Sequence, residues 1–212
     1  MKDLFELFKK IAAEKQQSGG APEFLVVGLG NPGMGYVFTR HNAGFLAMDF
    51  LAEKLGVELK QSKFKSLTTA AAIGGRRVLL MKPQTYMNNS GEAVRAAADF
   101  YHIPPENILV ISDDAAQEPG RMRVRRSGSD GGQKGLRSII EHLGTDVFPR
   151  IRIGVGQKPR ADYDMADWVL GKIPEEDQKK LFSVFGCVAD AVPLILNGGI
   201  EDAMSKFNGV KF

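Results

Sequence analysis

The stretch FLVVGLGNPGMGYVFTRHNAG, residues 24–44, decides how the rest of the chain is read. Phe24 to Gly28 form an apolar run rich in strand-favouring side chains, the pattern of a buried strand. A turn of glycine, asparagine and proline follows, which lets the backbone approach a ligand closely. The chain then delivers His41 between Arg40 and Asn42. It is one of only three histidines in the chain, and histidine is the side chain whose ordinary titration falls near neutral pH. From about residue 43 to 55, AGFLAMDFLAEKL has helical spacing. Strand, turn and helix in this order make the start of an α/β domain, with a candidate general base at the turn.

Gly28, Gly30 and Gly33 also spell G-x-G-x-x-G after a strand, as a dinucleotide-binding turn does. That reading needs a helix opening at the glycines and an acid about 20 residues on, at the end of a second strand. Pro32 and Gly35 prolong the turn instead, and Asp49 and Glu53 fall inside the helical pattern. The spelling is therefore read as a coincidence of a tight strand exit, whose glycines and Pro32 place Asn31 and carry the chain round to His41.

Working outward, strands and helices interleave. Residues 67–82 read as a hairpin turning at Gly74-Gly75, and Asn88 to Ser90 can cap a helix running to about His102. ILVISDD, 108–114, reads as a buried strand ending in two carboxylates. RMRVRR alternates like a half-exposed strand, SDGGQKGLRSIIEHLG is a glycine-rich loop entering a helix, RIRIGVG is one more strand, and helices dominate after Asp164. The expected fold is a single α/β domain with a mixed central sheet and helices on both faces. It spans residues 23–212 and is preceded by an accessory amphipathic helix over 2–17 and a joint, residues 1–22 in all.

Composition sets outer bounds. The chain has 212 residues, 43% hydrophobic and 25% charged, ordinary for one soluble globular domain. No run approaches the ~20 apolar residues that span a bilayer, so no membrane partner is expected. The single cysteine, Cys187, excludes a disulfide framework, and its apolar neighbours suit a small packed hydrophobe. That usage fits a reducing, cytoplasmic setting. The histidines and the cysteine form no metal-ligand spacing, so metal catalysis is not expected. Net charge is only +3, yet residues 121–137 hold Arg121, Arg123, Arg125, Arg126, Lys134 and Arg137 against one acid, Asp130. Arg150, Arg152, Lys158 and Arg160 follow. Such a stripe is either a solvated basic face or the footprint of a phosphate-backbone binder.

Ligands of open α/β sheets bind beyond the carboxyl ends of the strands. The turn with Asn31 and His41, the segment PQTYMNNS at 83–90 and the strand end at Asp113 should meet there. A histidine with a carboxylate partner suits a general base, and the absence of a serine or cysteine nucleophile elbow makes water the natural nucleophile. Asn31 and Asn88 can each donate and accept, which suits amide recognition. Each also has a structural alternative: a turn former, a helix cap, and for Asp113 a partner to backbone donors.

These residues resemble the bacterial-type peptidyl-tRNA hydrolase family. The matching blocks are GLGNPG (28–33), TRHNAG (39–44), QTYMNNSG (84–91), the Asp113 region ending EPGRMRVR, GGQKGLRSI, and RIRIGVG followed by WVLGK. They run from about residue 24 to the C-terminus. The resemblance implies a cofactor-free enzyme that cleaves the ester joining peptide to tRNA, releasing stalled peptidyl-tRNA. Its catalytic residues would be His41 as the base, Asp113 as the carboxylate that keeps it basic, and Asn31 as the sensor of the first peptide bond. Tyr36, Tyr86 and Asn88 would line the site for the tRNA terminus and the peptide. Arg125 and Arg152 would grip a tRNA phosphate. The implied partner is peptidyl-tRNA, met at its acceptor stem and terminal CCA, by a monomer. Where the family usually reads GGHNGL, this chain has Gln133 and Lys134, and Lys134 is expected to help hold the anionic tRNA end. Ser112 and Ala116 also depart from the polar residues usual beside the aspartate. A non-catalytic RNA-binding protein on the same scaffold is the alternative, with a dinucleotide oxidoreductase more distant.

Overall fold

A computed structural model describes residues 20–212. The accessory helix expected over 2–17 lies outside the described residues. The strands are β1 (Phe24–Gly28), β2 (Gln61–Lys63), β3 (Ser66–Ile73), β4 (Arg76–Pro83), β5 (Ile108–Asp114), β6 (Met122–Arg125) and β7 (Arg150–Gly154). The helices are α1 (Ala43–Leu55), α2 (Ser90–Tyr101), α3 (Lys134–Leu143), α4 (Met165–Leu170), α5 (Glu175–Leu196) and α6 (Ile200–Phe207). The seven strands form one mixed sheet in the order β2-β3-β4-β1-β5-β7-β6. The four central strands are parallel neighbours, while β2, β3 and β6 pair antiparallel.

Both faces of the sheet are covered, as an α/β fold with central parallel strands requires. Val26, Leu80, Leu109 and Ile111 point to the face packed by α1, α5 and α6. Leu25, Val27, Leu79, Met81, Ile108 and Val110 point to the opposite face, under α2 and α3. Alternation along each strand divides one apolar run between two cores. The helix after β1 and the helix after β4 therefore leave the sheet toward opposite faces. Their connecting loops part at the carboxyl ends of these neighbouring strands and open a crevice there.

Local differences from the sequence reading have physical causes. QSK at β2 is fully exposed and carries no apolar signal; it is a strand only because it pairs with β3 at the sheet edge. At α2 neither Asn88 nor Asn89 caps the helix with its side chain. A 3-10 turn, Met87–Asn89, leads in instead, and the Ser90 hydroxyl donates back to the Met87 carbonyl at 3.0 Å.

The glycines of the first turn serve close packing. A Cβ at Gly28 would lie 2.5 Å from the Gly44 carbonyl oxygen, and one at Gly30 would meet the Phe45 ring at 2.5–2.8 Å. A Cβ at Gly44 would lie 2.4–2.6 Å from the Ile111 oxygen and the Leu29 backbone. Only Gly33, with φ of 110°, is demanded by backbone conformation. The first turn of α1 thus lies directly on β1 and β5. A methyl at residue 44 has no flexible neighbour to displace, so the Gly44→Ala variant is expected to lose about 2–3 kcal/mol of stability by overpacking. Urea denaturation measures this, and a loss below about 0.5 kcal/mol would show that α1 has room to move.

Candidate active site

The carboxyl ends of the parallel strands open into a cavity of about 1080 Å³ whose walls include Asn31, Tyr36, His41, Tyr86, Asn88, Asp113 and Arg152. Seven of the eight residues singled out from the sequence thus line one cavity. The eighth, Arg125, does not line it. Its side chain lies half-buried on β6, with a guanidinium N–H 3.2 Å from its own neighbour's carbonyl at Val124.

His41 sits in a short 3-10 turn, Arg40–Asn42, immediately before α1. Asp113 comes from the end of β5. Although 72 residues apart in sequence, they pair at 2.9 Å between His41 Nδ1 and Asp113 Oδ2. Both are buried, with 7% and 2% of their surface exposed. Burial is the largest single influence on the ring and opposes its charge, and the positive charge of Lys134 acts the same way. The Asp113 carboxylate, by charge and by hydrogen bond, outweighs them and lifts the imidazole above its ordinary 6.5. With Nδ1 turned to the carboxylate, Nε2 is the nitrogen left for chemistry.

Asn31 is fixed by two neighbours. Asn42, the residue after the histidine, accepts from the Asn31 backbone N–H at 2.8 Å and donates to the Asn31 carbonyl at 3.0 Å. The Asn31 side-chain oxygen accepts the Met87 backbone N–H at 2.8 Å. That bond spans the crevice between the loops after β1 and β4. It uses the amide oxygen, so what the Asn31 side chain has left to offer is its NH2 donor. Asn42 had no assigned role in the sequence; it stands at the N-cap position of α1, yet its side chain makes no capping bond and is spent on the Asn31 backbone.

The segment carrying Tyr86 is strained. Its φ of 58° and ψ of 162° fall in a region that essentially only glycine occupies. The Asn31–Met87 bond and the hydrogen bond from Asn89 N–H to the Tyr86 carbonyl, 3.1 Å, hold it there. The residue is left more than half exposed at the cavity.

Positive charge surrounds the opening unevenly. Lys134, Arg137, Lys158 and Arg160 line it. Lys158 is tied down, its ammonium donating to the carbonyls of Ala161 and Tyr163. Arg152 lies 3.1 Å from Asp114 through Nε, a charge contact whose N–H is not aimed at the carboxylate. Beside His41, Arg40 lies with its guanidinium 3.6 Å from the centre of the Trp168 ring, and the Trp168 indole donates to the Gly156 carbonyl at 2.8 Å. These contacts pin α4 and the 155–164 loop against the turn that carries His41. Among the described residues no three His, Cys, Asp or Glu side chains stand together as a metal site.

The peptidyl-tRNA hydrolase family profile matches residues 25–212. The chain belongs to the peptidyl-tRNA hydrolase family. It is 48% identical over 188 residues to the peptidyl-tRNA hydrolase of Clostridium novyi, covering 89% of this chain and 99% of that one. Against the peptidyl-tRNA hydrolase of Moorella thermoacetica the identity is 50% over 185 residues, with 87% and 97% covered. The crystal structure of peptidyl-tRNA hydrolase from Acinetobacter baumannii superposes with a TM-score of 0.84 at 39% identity, over 91% of this chain and 99% of that one. The fold expected from the peptidyl-tRNA hydrolase resemblance, a single α/β domain with a mixed sheet, is the one observed.

The raised imidazole makes a signed prediction. A His41 pKa above 6.5 means that the charged pair contributes stability below about pH 6.5, and that this contribution is lost as pH rises through the folded value. To act as a base His41 must be neutral, so in that role activity would run the other way and fall as pH drops through that same value. In Asp113→Asn the burial and Lys134 contributions remain without their counterweight. The His41 pKa measured by NMR titration should then drop below 6.5 and turnover should fall by roughly 1000-fold. An unmoved titration would separate the two residues. For Tyr86→Gly, relief of strain worth ~1–3 kcal/mol exceeds the ~0.5–1 kcal/mol entropic cost of glycine. The variant should melt at higher temperature than Tyr86→Ala while both lose activity. A lower melting temperature for the glycine variant would show that the segment stores no strain.

Proposed function

We propose that the protein hydrolyses the ester between peptide and tRNA in peptidyl-tRNA, with His41 activating the attacking water. The observation that carries this is the buried His41–Asp113 pair in the wall of the cavity, within a member of the peptidyl-tRNA hydrolase family. Nε2 takes a proton from water as its oxygen bonds to the ester carbonyl carbon. The tetrahedral adduct then collapses, the bond to the ribose oxygen breaks, and the imidazolium returns the proton to that oxygen. Peptide acid and free tRNA leave. Asp113 holds the ring in one tautomer and stabilises its charged form.

Asn31 supports selectivity for the blocked substrate. Its free N–H groups suit the carbonyl of a peptide bond, whereas unblocked aminoacyl-tRNA presents an ammonium that offers no acceptor. Asn88, exposed on the same wall with Tyr36 and Tyr86, is placed to meet the peptide or the terminal nucleotide. Arg152 and Lys134 at the opening, with Arg125 further out on β6, form the surface for the acceptor stem. Binding through such cations weakens as salt rises. The reading extends to a monomer working in the cytoplasm on tRNA released from translation, with residues 23–212 as the enzyme domain and 1–22 as an accessory segment.

One assay tests it: ester cleavage in N-acetyl-aminoacyl-tRNA and in the unblocked aminoacyl-tRNA, compared side by side. Cleavage of the blocked substrate alone is expected. Loss of general-base catalysis typically removes ~100- to 10,000-fold, so His41→Ala should lower kcat in that range with a modest change in KM. Tight tRNA binding without cleavage would favour a pure RNA-binding protein instead.

A further inference from the structure

Gln133 is the N-cap residue of α3, and its side-chain oxygen accepts the Leu136 backbone N–H at 2.7 Å. Only an amide oxygen can accept there, so the cap decides which way the amide faces. The nitrogen is turned inward and donates to Asp113 Oδ1 at 3.0 Å, on the carboxylate oxygen that His41 does not use. The same nitrogen lies 3.1 Å from the sulfur of Met87, whose N–H binds Asn31. Gln133 is itself buried.

We propose that Gln133 is a positioning residue for the reaction, acting through Asp113 to hold the carboxylate in the orientation that pairs with His41. Both Asp113 oxygens are occupied by donors, one from each side, and a buried carboxylate held so cannot rotate away from the ring. A helix cap is a firm support for such a clamp, because the capping oxygen is tied to backbone rather than to another mobile side chain. The amide is also neutral at every accessible pH. Where the family usually has a histidine that can itself titrate, this chain has a group that cannot. The charged groups around the His41 ring are then Asp113 from β5 and Lys134 from α3, while Asp114 and Arg152 face each other across β5 and β7 in the same cavity. The acid limb of the rate profile should follow one proton, that of His41.

This inference rests on His41 as the base, and its test is chosen to stand apart from that reading. In Gln133→Met both bonds go and the Asp113 carboxylate is free to turn from the ring. The His41 pKa, read by NMR titration of the full chain, should then fall, because burial and Lys134 act against a weakened counterweight, and the acid limb of kcat/KM should move with it. There kcat should fall about 10- to 100-fold, the loss typical of a hydrogen bond to a charged group, with KM nearly unchanged because both ends of the Gln133 amide are already bonded within the protein. In Gln133→Glu one oxygen keeps the cap on Leu136, and two carboxylates this close hold one proton between them, so the inward donor is restored and His41 should titrate as in the parent. A folded Gln133→Met protein whose His41 titrates as in the parent overturns the proposal. The titration needs no turnover, so it decides the point even if the parent cleaves no ester.

Discussion

The close approach of α1 to the sheet is the constraint on which the rest of the site depends. Gly44 presses its Cα against the backbone of β5 and of the residue after β1, and Gly28 returns the contact from the strand side. Because the helix begins at that contact, the turn just before it has no freedom to drift, and His41 arrives at the end of β5 where Asp113 waits. The Phe45 N–H bond to the Leu29 carbonyl and the Leu29 N–H bond to the Ile111 carbonyl fix the same junction from the backbone. A pair of residues far apart in sequence is thus brought together by main-chain packing, and the side-chain hydrogen bond between them only completes it.

From this junction a continuous polar network spreads across the crevice. Asn42 locks the backbone of Asn31, the Asn31 side chain holds Met87, Met87 sulfur touches Gln133, and Gln133 closes on Asp113. Every member is buried and partnered, and in such surroundings polar groups are either rigid or costly. The site therefore consists of one ordered wall carrying the dyad and one looser, cationic rim.

How much of this could be read in the amino-acid order varied with the kind of interaction. ILVISDD is legible as β5 to the residue, because a strand buried on both faces needs a continuous apolar run and its acids mark the exit. The hairpin and α1 are legible for similar reasons of period and turn chemistry. QSK is not, since an exposed edge strand owes its state to a neighbour rather than to its own side chains. The glycines 28 and 30 were recognisable as important but not for their packing, because Gly44 and Phe45 are partners only in space. His41 and Asp113 could be paired from the rule that strand ends converge. The Gln133 clamp could not, because it depends on which oxygen of an amide is taken by a helix end. Arg150 was the plainest misreading: counted in the basic stripe, it is almost wholly enclosed, 1% exposed.

That enclosed arginine has a consequence for how the molecule holds together. Its guanidinium donates to the carbonyls of Gly128, Ser129, Asp146 and Phe148 and stacks 4.1 Å from the Phe148 ring. Burial lowers its pKa to about 10, which still leaves it charged at neutral pH. Among the described residues no carboxylate side chain hydrogen-bonds to it; the acceptors are peptide oxygens, drawn from the loop before α3 and the loop before β7. If either loop peels away, the cation loses carbonyl acceptors while the other loop still covers it, an outcome costlier than fraying a surface turn. The glycine-rich loop leading to Gln133 and Lys134 is consequently no independent flap. Its opening breaks bonds to a β7 side chain, so this side of the candidate site is tied to the cooperativity of the core.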